Sequence, residues 1–113
     1  MSKNWKESLL TSHATVQDAK CIIDTSSMHI AIVVDKKRKL LGIVTQSDYR
    51  KGMLRHVNLN DSVAIILNES PETALLTDSA NEIDDFFIRT NLMHLLIVDG
   101  EGILANVEYY DEH

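Results

Sequence analysis

The stretch HIAIVVDKKRKLLGIVTQSD, residues 29–48, decides the fold. It contains two short apolar runs that are separated by a charged turn, residues 35–39. Runs of this length, joined by so short a turn, predict two strands, and their nearly continuous apolar character indicates that both faces are covered. Thr45 and Asp48 then stand three residues apart, which is the spacing of a capping box and predicts that a helix follows the second strand.

The same pattern occurs a second time further along the chain. HLLIVDG at residues 94–100 matches HIAIVVD at residues 29–35, and Asp99 follows Asp35 by 64 residues. The apolar positions of the segment before each strand recur at the same offset: Val16, Ala19 and Ile23 correspond to Ala80, Ile83 and Phe87. Both triplets have the i, i+3, i+7 spacing of the buried face of a helix. The sequence therefore contains an internal repeat.

Beyond the turn the offset falls to 63 residues, because the second turn is one residue shorter. The corresponding pairs are Gly42 and Ala105, Thr45 and Glu108, and Asp48 and Asp111. We assign residues 8–62 to the first unit and residues 70–113 to the second. A unit of ~50 residues cannot bury its own sheet. The sequence therefore predicts a mixed α/β (α+β) fold in which two βαββα units pack face to face about a pseudo-twofold axis.

The segment between the two units contains two further predicted helices. The first covers DYRKGMLRH at residues 48–56. The second lies near NDSVAIILN at residues 60–68, where Asn60 or Asp61 is the expected N-cap. A short strand is expected around residues 73–76. The connection is too short to be a linker between independent domains.

Composition and charge limit the classes of function. The chain has 113 residues and a formal net charge of −6, which argues against nucleic acid as the main partner because that partner requires a basic face. No apolar run approaches the ~18 residues of a membrane span, and the start lacks the apolar core of a signal peptide. The single cysteine, Cys21, excludes an intrachain disulfide, and its neighbours Ile22 and Ile23 predict a buried, unreactive thiol. We expect a soluble, cytoplasmic protein without a membrane partner.

The repeated unit resembles the CBS domain motif. The likeness lies in a helix, an apolar strand that ends in Val-Val-Asp, a turn, and LLGIVTQSD at residues 40–48 before a second helix. Two such units in tandem resemble a Bateman module, and this resemblance covers essentially the whole chain. A narrower likeness is to CBS pairs that precede sugar nucleotidyltransferase domains of surface polysaccharide synthesis, and it is carried by Trp5 and residues 14–35, 40–54 and 59–71. Those pairs usually have Thr-Asp-Gly-Asp, so this chain departs at Gln46 and Ser47.

The resemblance implies a regulatory module that binds an adenosine nucleotide, AMP, ADP or ATP, and requires no cofactor. The predicted ligand-binding residues are Leu10, Thr11, Thr45, Asp48, Arg50 and Lys51, with Arg55 as a further source of positive charge. Thr45 would contact phosphate, and Asp48 would accept hydrogen bonds from the ribose hydroxyls. Free N–H groups at the start of the following helix also suit phosphate. A helix cap without a ligand explains the same two residues, and the sequence leaves both interpretations open.

The second unit has a degenerate version of this site, at Glu108, Asp111 and Thr73. Glu108 replaces the hydroxyl that would face phosphate. A carboxylate ~4 Å from a phosphate charge costs up to ~4 kcal/mol at an effective dielectric constant of ~20. The sequence therefore predicts one working site at most, in the first unit.

Catalysis is not expected within these residues. The four glycines form no glycine-rich phosphate loop, and no nucleophile has a supporting base. The chain ends soon after Asp111, where the first unit continues into a helix, so we expect the N-terminal part of a longer protein whose following domain is a sugar nucleotidyltransferase. A homodimer through the helix faces is also expected. The alternative is a structural module that dimerises its parent and binds no ligand.

Two other groups of polar residues have simpler explanations. His29 and His94 begin corresponding strands, and polar strand ends explain them better than a paired metal site, so no metal is predicted. The acidic residues Glu82, Asp84 and Asp85 lie opposite the apolar face of their predicted helix, which indicates a solvated surface.

Overall fold

The structure is a computed structural model that describes residues 5–75, 77–90 and 94–109. A 3₁₀ helix, Trp5–Ser8, opens the described chain, and a second 3₁₀ helix covers Val63–Ile66. The α-helices are α1 Val16–Thr25, α2 Gln46–Leu54 and α3 Ala80–Thr90. The strands are β1 Leu9–Thr11, β2 Ala31–Val34, β3 Leu40–Val44, β4 Thr73–Leu75, β5 His94–Val98 and β6 Leu104–Tyr109.

The strands form two three-stranded sheets of identical topology. In the first sheet β1 is parallel to β2 and β2 is antiparallel to β3, and β4, β5 and β6 repeat this arrangement. Both hairpins shift register at the corresponding place, between Val33 and Val34 in the first and between Ile97 and Val98 in the second. Val34 pairs with Leu40 as Val98 pairs with Leu104, so the two turns have the same length. The prediction that the second turn is one residue shorter is therefore wrong, and the offset between the units stays at 64 residues. The predicted duplication and the mixed α/β fold are confirmed.

Strand β2 is buried on both faces because it lies between two cores. Ala31 and Val33 belong to a core that the first unit forms with helices α1 and α2. Ile32 belongs to a second core, which also contains Leu96 of β5 and is shared by the two units. Because successive strand residues point to opposite faces, an unbroken apolar run is the sequence that this position requires.

The two sheets also meet at the ends of their hairpin turns. The backbone N–H of Leu40 donates to the carbonyl of Gly102 at 3.0 Å, and the N–H of Leu104 donates to the carbonyl of Arg38 at 2.9 Å. These bonds pair the start of β3 with the start of β6 in antiparallel fashion. Antiparallel pairing of equivalent strands is the arrangement that a twofold axis between the units produces.

The helix predicted at residues 60–68 is only a 3₁₀ turn, Val63–Ile66, and its N-cap is Ser62 rather than Asn60 or Asp61. The first and last residues of this turn are both buried. The three-residue period of a 3₁₀ helix places them on the same side, whereas the apolar run itself did not distinguish this turn from an α-helix.

The chain stays with the first unit beyond residue 62. The second 3₁₀ helix belongs to the first core. Asn68 then pairs with Ile43 of β3 through two backbone hydrogen bonds, of 2.8 and 3.0 Å. The assignment of residues 8–62 and 70–113 to the two units remains a prediction.

Helix α1 places Cys21 on its exposed face, so the prediction of a buried thiol is wrong. The buried residues of this helix are Val16, Ala19 and Ile23. A residue two positions after Ala19 lies about 200° further around the helix, on the solvent side. The apolar neighbours in the sequence were therefore a poorer guide than the helical period.

The acidic residues of α3 form the solvated surface that was predicted. Glu82, Asp84 and Asp85 are all exposed, while Phe86 and Phe87 of the same helix are buried. Within the described ranges, none of the helices has the length and apolar character needed to cross a membrane.

Candidate functional site

Helix α2 begins at the predicted capping box. Thr45 is the N-cap, and its Oγ1 accepts a hydrogen bond from the backbone N–H of Asp48 at 3.2 Å. In return, Asp48 Oδ2 accepts hydrogen bonds from the backbone N–H and from the hydroxyl of Thr45, both at 2.9 Å. One carboxylate oxygen therefore fulfils the whole capping role.

The other oxygen, Asp48 Oδ1, has no hydrogen bond to the described residues. Asp48 is only half-buried, and it lines an open cleft beside α2. A carboxylate oxygen in this position can accept hydrogen bonds from a ligand without any loss to the helix cap. The capping and ligand-binding interpretations are thus compatible, because they use different oxygens.

The cleft lies between α2 and the second 3₁₀ helix and has a volume of about 520 Å³, within the ~300–1,000 Å³ that small-molecule sites usually have. Its lining consists of Asp48, Lys51, Leu54, Arg55, Ile65, Ile66 and Leu67. Asp48, Lys51 and Arg55 have the i, i+3, i+7 spacing of one helix face. The two cations outnumber the single carboxylate, which gives the cleft a net positive charge.

Two apolar side chains border the cleft and remain exposed. Leu54 is 75% exposed and Ile65 is 48% exposed. Arg55 connects the two walls, because its Nη2 lies 3.5 Å from the carbonyl oxygen of Ile65. A cleft that has apolar side chains at its border and the cations Lys51 and Arg55 in its lining suits a ligand with a flat apolar part and an anionic part.

The other predicted ligand residues lie away from this cleft. Arg50 lines a separate cleft between α1 and α2, together with Lys20 and Asp24. Leu10 is half-buried against the first core, and Thr11 is exposed at the end of β1. The structure therefore brings Lys51 together with Asp48. The predicted ligand roles of Leu10, Thr11 and Arg50 remain predictions.

Sequence reasoning missed the apolar part of the lining. The helical period could have located Leu54, because it falls outside the face on which Tyr49 and Met53 pack against the core. No sequence signal places residues 65–67 beside α2, since that proximity arises from tertiary packing.

The second unit has no equivalent arrangement within the described residues. Glu108 is half-buried in β6, where its Oε1 accepts from Asn106 Nδ2 at 3.4 Å. Thr73 is exposed and borders a different cleft of about 230 Å³ with Glu69. Asp111 lies outside the described residues. Glu108 pairs with Leu95 as Val44 pairs with Ala31, so the predicted correspondence of Glu108 to Thr45 is wrong.

The two histidines have different local surroundings. His29 Nδ1 lies 2.9 Å from the carbonyl oxygen of Ile23, which fixes the ring against the end of α1. Burial lowers the pKa of His94, because the charged imidazolium loses its hydration. In the part of the chain that the structure describes, no three metal-binding side chains come together.

The capping box by itself is not a sign of a ligand, because α1 has the same one. Thr15 Oγ1 accepts from the N–H of Asp18 at 3.2 Å, and Asp18 Oδ2 accepts from the N–H of Thr15 at 2.9 Å. This box is equally visible in the sequence, as TVQD at residues 15–18. What distinguishes Asp48 from Asp18 is the adjoining cationic cleft.

Comparison with known proteins agrees with this architecture. The family model of the CBS domain matches residues 8–55. A putative acetoin utilization protein from Vibrio cholerae superposes with a TM-score of 0.79 over 89% of this chain and 75% of its own, at 19% identity. The fold is that of a tandem CBS domain pair. CBS domains are regulatory, non-catalytic modules, in agreement with the prediction that these residues are not an enzyme.

Two further relatives of the CBS pair carry functional descriptions of their own. A CBS domain protein from Pyrobaculum aerophilum, complexed with AMP, superposes with a TM-score of 0.74 over 96% of this chain and 87% of its own, at 19% identity. The inosine-5'-monophosphate dehydrogenase of Nitrosopumilus maritimus is 30% identical over 98 residues, which are 87% of this chain. The chain spans 20% of the length of that enzyme.

Proposed function

We propose that this CBS pair is a regulatory module that binds an adenosine nucleotide in the cleft beside α2. The observation that carries the proposal is Asp48, whose Oδ1 has no hydrogen bond to the described residues and which lines a cleft whose other charged side chains, Lys51 and Arg55, are both cations. The AMP complex of a CBS protein with the same fold supports the choice of ligand class.

Each part of a nucleotide has a counterpart in the cleft. Asp48 Oδ1 accepts hydrogen bonds from the ribose hydroxyls, and Lys51 and Arg55 oppose the phosphate charge. At ~4 Å and an effective dielectric constant of ~20, each such charge pair is worth up to ~4 kcal/mol before desolvation is subtracted. Leu54 and Ile65, which are exposed in the free protein, become covered by the adenine ring.

The module acts on a catalytic domain by a shift in the arrangement of its two units. Nucleotide binding moves that equilibrium by no more than the difference between its affinities for the two arrangements. The resemblance of residues 40–54 favours a sugar nucleotidyltransferase as the regulated domain. The curated relatives are instead inosine-5'-monophosphate dehydrogenases, which favour a domain that acts on purine nucleotides. The coding sequence beyond residue 113 distinguishes the two.

Isothermal titration with AMP, ADP and ATP tests the binding. Asp48→Ala removes both the cap and the ligand acceptor, and we expect it to abolish binding. Asp18→Ala is the matched control, because it removes the same type of cap at a residue that does not line the cleft beside α2. We expect it to lower stability and leave affinity unchanged. A wild-type chain that gives no heat at millimolar nucleotide, or equal losses in both variants, contradicts the proposal.

A second candidate is a structural module that dimerises its parent and binds no small molecule. The replacement of the usual Asp-Gly by Gln46-Ser47 favours it. Both candidates place the protein in the cytoplasm and assume a homodimer through the helix faces. Sedimentation velocity separates them, because only the structural candidate requires a dimer that nucleotides leave unchanged.

A further inference from the structure

The hairpin turn between β2 and β3 carries four consecutive cations, Lys36, Lys37, Arg38 and Lys39. All four side chains are exposed. Within the described residues, none of them forms an ion pair or a side-chain hydrogen bond. In a chain whose net charge is −6, this basic turn is a local exception that no intramolecular contact neutralises.

The shape of the turn does not depend on these cations. Asp35 Oδ1 accepts hydrogen bonds from the backbone N–H groups of Lys37 and Lys39, at 2.8 and 2.9 Å. In the second unit Asp99 Oδ1 accepts in the same way from Glu101 and Ile103, at 2.8 and 3.0 Å. The twin turn thus has the same aspartate scaffold and is acidic rather than basic.

Arg38 also stands where the backbone favours glycine. Its φ is 65°, in the left-handed region, and the corresponding residue of the second unit is Gly102, with φ 83°. A side chain in this region costs free energy that glycine does not. Glycine at position 38, as at position 102, would avoid this cost. The presence of arginine therefore points to a role for its side chain other than stabilising the fold.

We propose that the basic turn, residues 36–39, is a docking site for an acidic segment of a partner protein. Four clustered cations that form no ion pair within the described residues outnumber the one carboxylate of the turn, Asp35, and attract further carboxylates over about a Debye length, ~8 Å at physiological salt. Nucleic acid fits less well, because the rest of the chain is acidic and the turn has no aromatic side chain on which a base could stack. A membrane surface fits less well, because the turn has no apolar side chain to insert.

The turn is also placed to transmit a change between the two units. The carbonyl of Arg38 accepts the N–H of Leu104 at 2.9 Å, so the turn is held directly by the second unit. A partner bound to residues 36–39 therefore contacts the point at which the two sheets meet. This inference does not depend on nucleotide binding in the cleft beside α2.

Fluorescence anisotropy of the whole 113-residue chain with a dye-labelled hexaglutamate peptide tests the docking site. The variant K37Q/R38G/K39Q removes three cations and gives the turn the glycine of its twin, so we expect it to fold. The control K6Q/K20Q/R89Q removes three cations elsewhere. We expect the turn variant to bind at least about tenfold more weakly, since three exposed ion pairs are lost, and the control to stay within about twofold of the wild type.

Several results overturn the proposal. One is a wild-type chain that does not bind the peptide at low salt, and another is an equal loss of affinity in both triple variants. Tighter binding of a single-stranded oligonucleotide, or of vesicles that contain anionic lipid, shows that the partner is not an acidic protein segment. Circular dichroism of each variant establishes that the comparison is made between folded proteins.

Discussion

A Cβ atom on Gly42 would lie 2.4 Å from the backbone carbonyl oxygen of Asn68. That carbonyl accepts the N–H of Ile43, and the N–H of Asn68 donates back to the carbonyl of Ile43, so the connecting segment is bound to the edge of β3. The corresponding residue of the second unit is Asn106, because Asn106 pairs with Ile97 as Gly42 pairs with Val33, and it is half-buried. Glycine is therefore required at position 42 because the backbone of Asn68 lies so close to it, and this requirement is found only in the first unit, among the described residues.

Gly42→Ala should destabilise the protein. The new methyl group overlaps a backbone oxygen that cannot move without the loss of two hydrogen bonds, and overpacking of this kind costs about 1–3 kcal/mol. Urea denaturation measures the free energy of unfolding. Gly100→Ala is the matched control, because nothing lies within 4 Å of its added Cβ. Equal stability of the two variants would show that Asn68 is not held against β3.

The two capping boxes should contribute equally to stability and differently to binding. Thr15→Ala and Thr45→Ala each remove the hydroxyl that accepts from the third residue of a helix, which costs about 1 kcal/mol. Urea denaturation is expected to show losses of this size in both variants. Nucleotide affinity should fall only in Thr45→Ala, since that loss also frees Asp48 to turn away from the cleft. An effect of Thr15→Ala on affinity would contradict the assignment of the cleft.

His94 should make stability depend on pH in the weakly acidic range. Burial lowers its pKa in the folded state below the value of 6.5 for the free side chain. Below about pH 6.5 the unfolded chain therefore binds more protons than the folded chain, so stability is lost as the pH falls from there towards the folded pKa. We expect His94→Gln to reduce the difference in unfolding free energy between pH 7.5 and pH 5.5. A pH dependence that is the same in His94→Gln and in the wild type would contradict this assignment.

Ile88 should lie in the proposed homodimer interface. It is 81% exposed on α3, although the other exposed residues of this helix are polar or charged. Ile88→Glu places a charge where apolar contact is expected, and it should raise the dimer dissociation constant by at least about tenfold in sedimentation equilibrium. Leu59→Glu, outside the helices, is the control. A monomeric wild-type chain would refute the dimer itself.

Local periodicity explains why so much of the fold was predictable. The run from Ile30 to Val34 is apolar at every position because both faces of β2 are covered, and that is visible without any tertiary information. The cap formed by Thr45 and Asp48 is equally local, since both partners lie within four residues. Such features depend only on residues that are close in the sequence, so they can be predicted without knowledge of the tertiary structure.

The sequence predictions that were wrong or incomplete concern the direction in which a residue points around its helix, or contacts between residues that are distant in the sequence. Arg50 and Lys51 are adjacent in the sequence, yet one residue corresponds to about 100° around a helix, so they line different clefts. The same period places Cys21 outside, where its neighbours suggested burial. The approach of Ile65 to α2 has no local signal, because it results from the packing of the second 3₁₀ helix on the first core.

Ile32 and Leu96 are both completely shielded from water, in the one core to which each unit contributes. Neither unit is therefore expected to fold as an independent domain, because separation of the two would expose an apolar face of each sheet to solvent. We therefore expect the two halves to unfold together in a single cooperative transition.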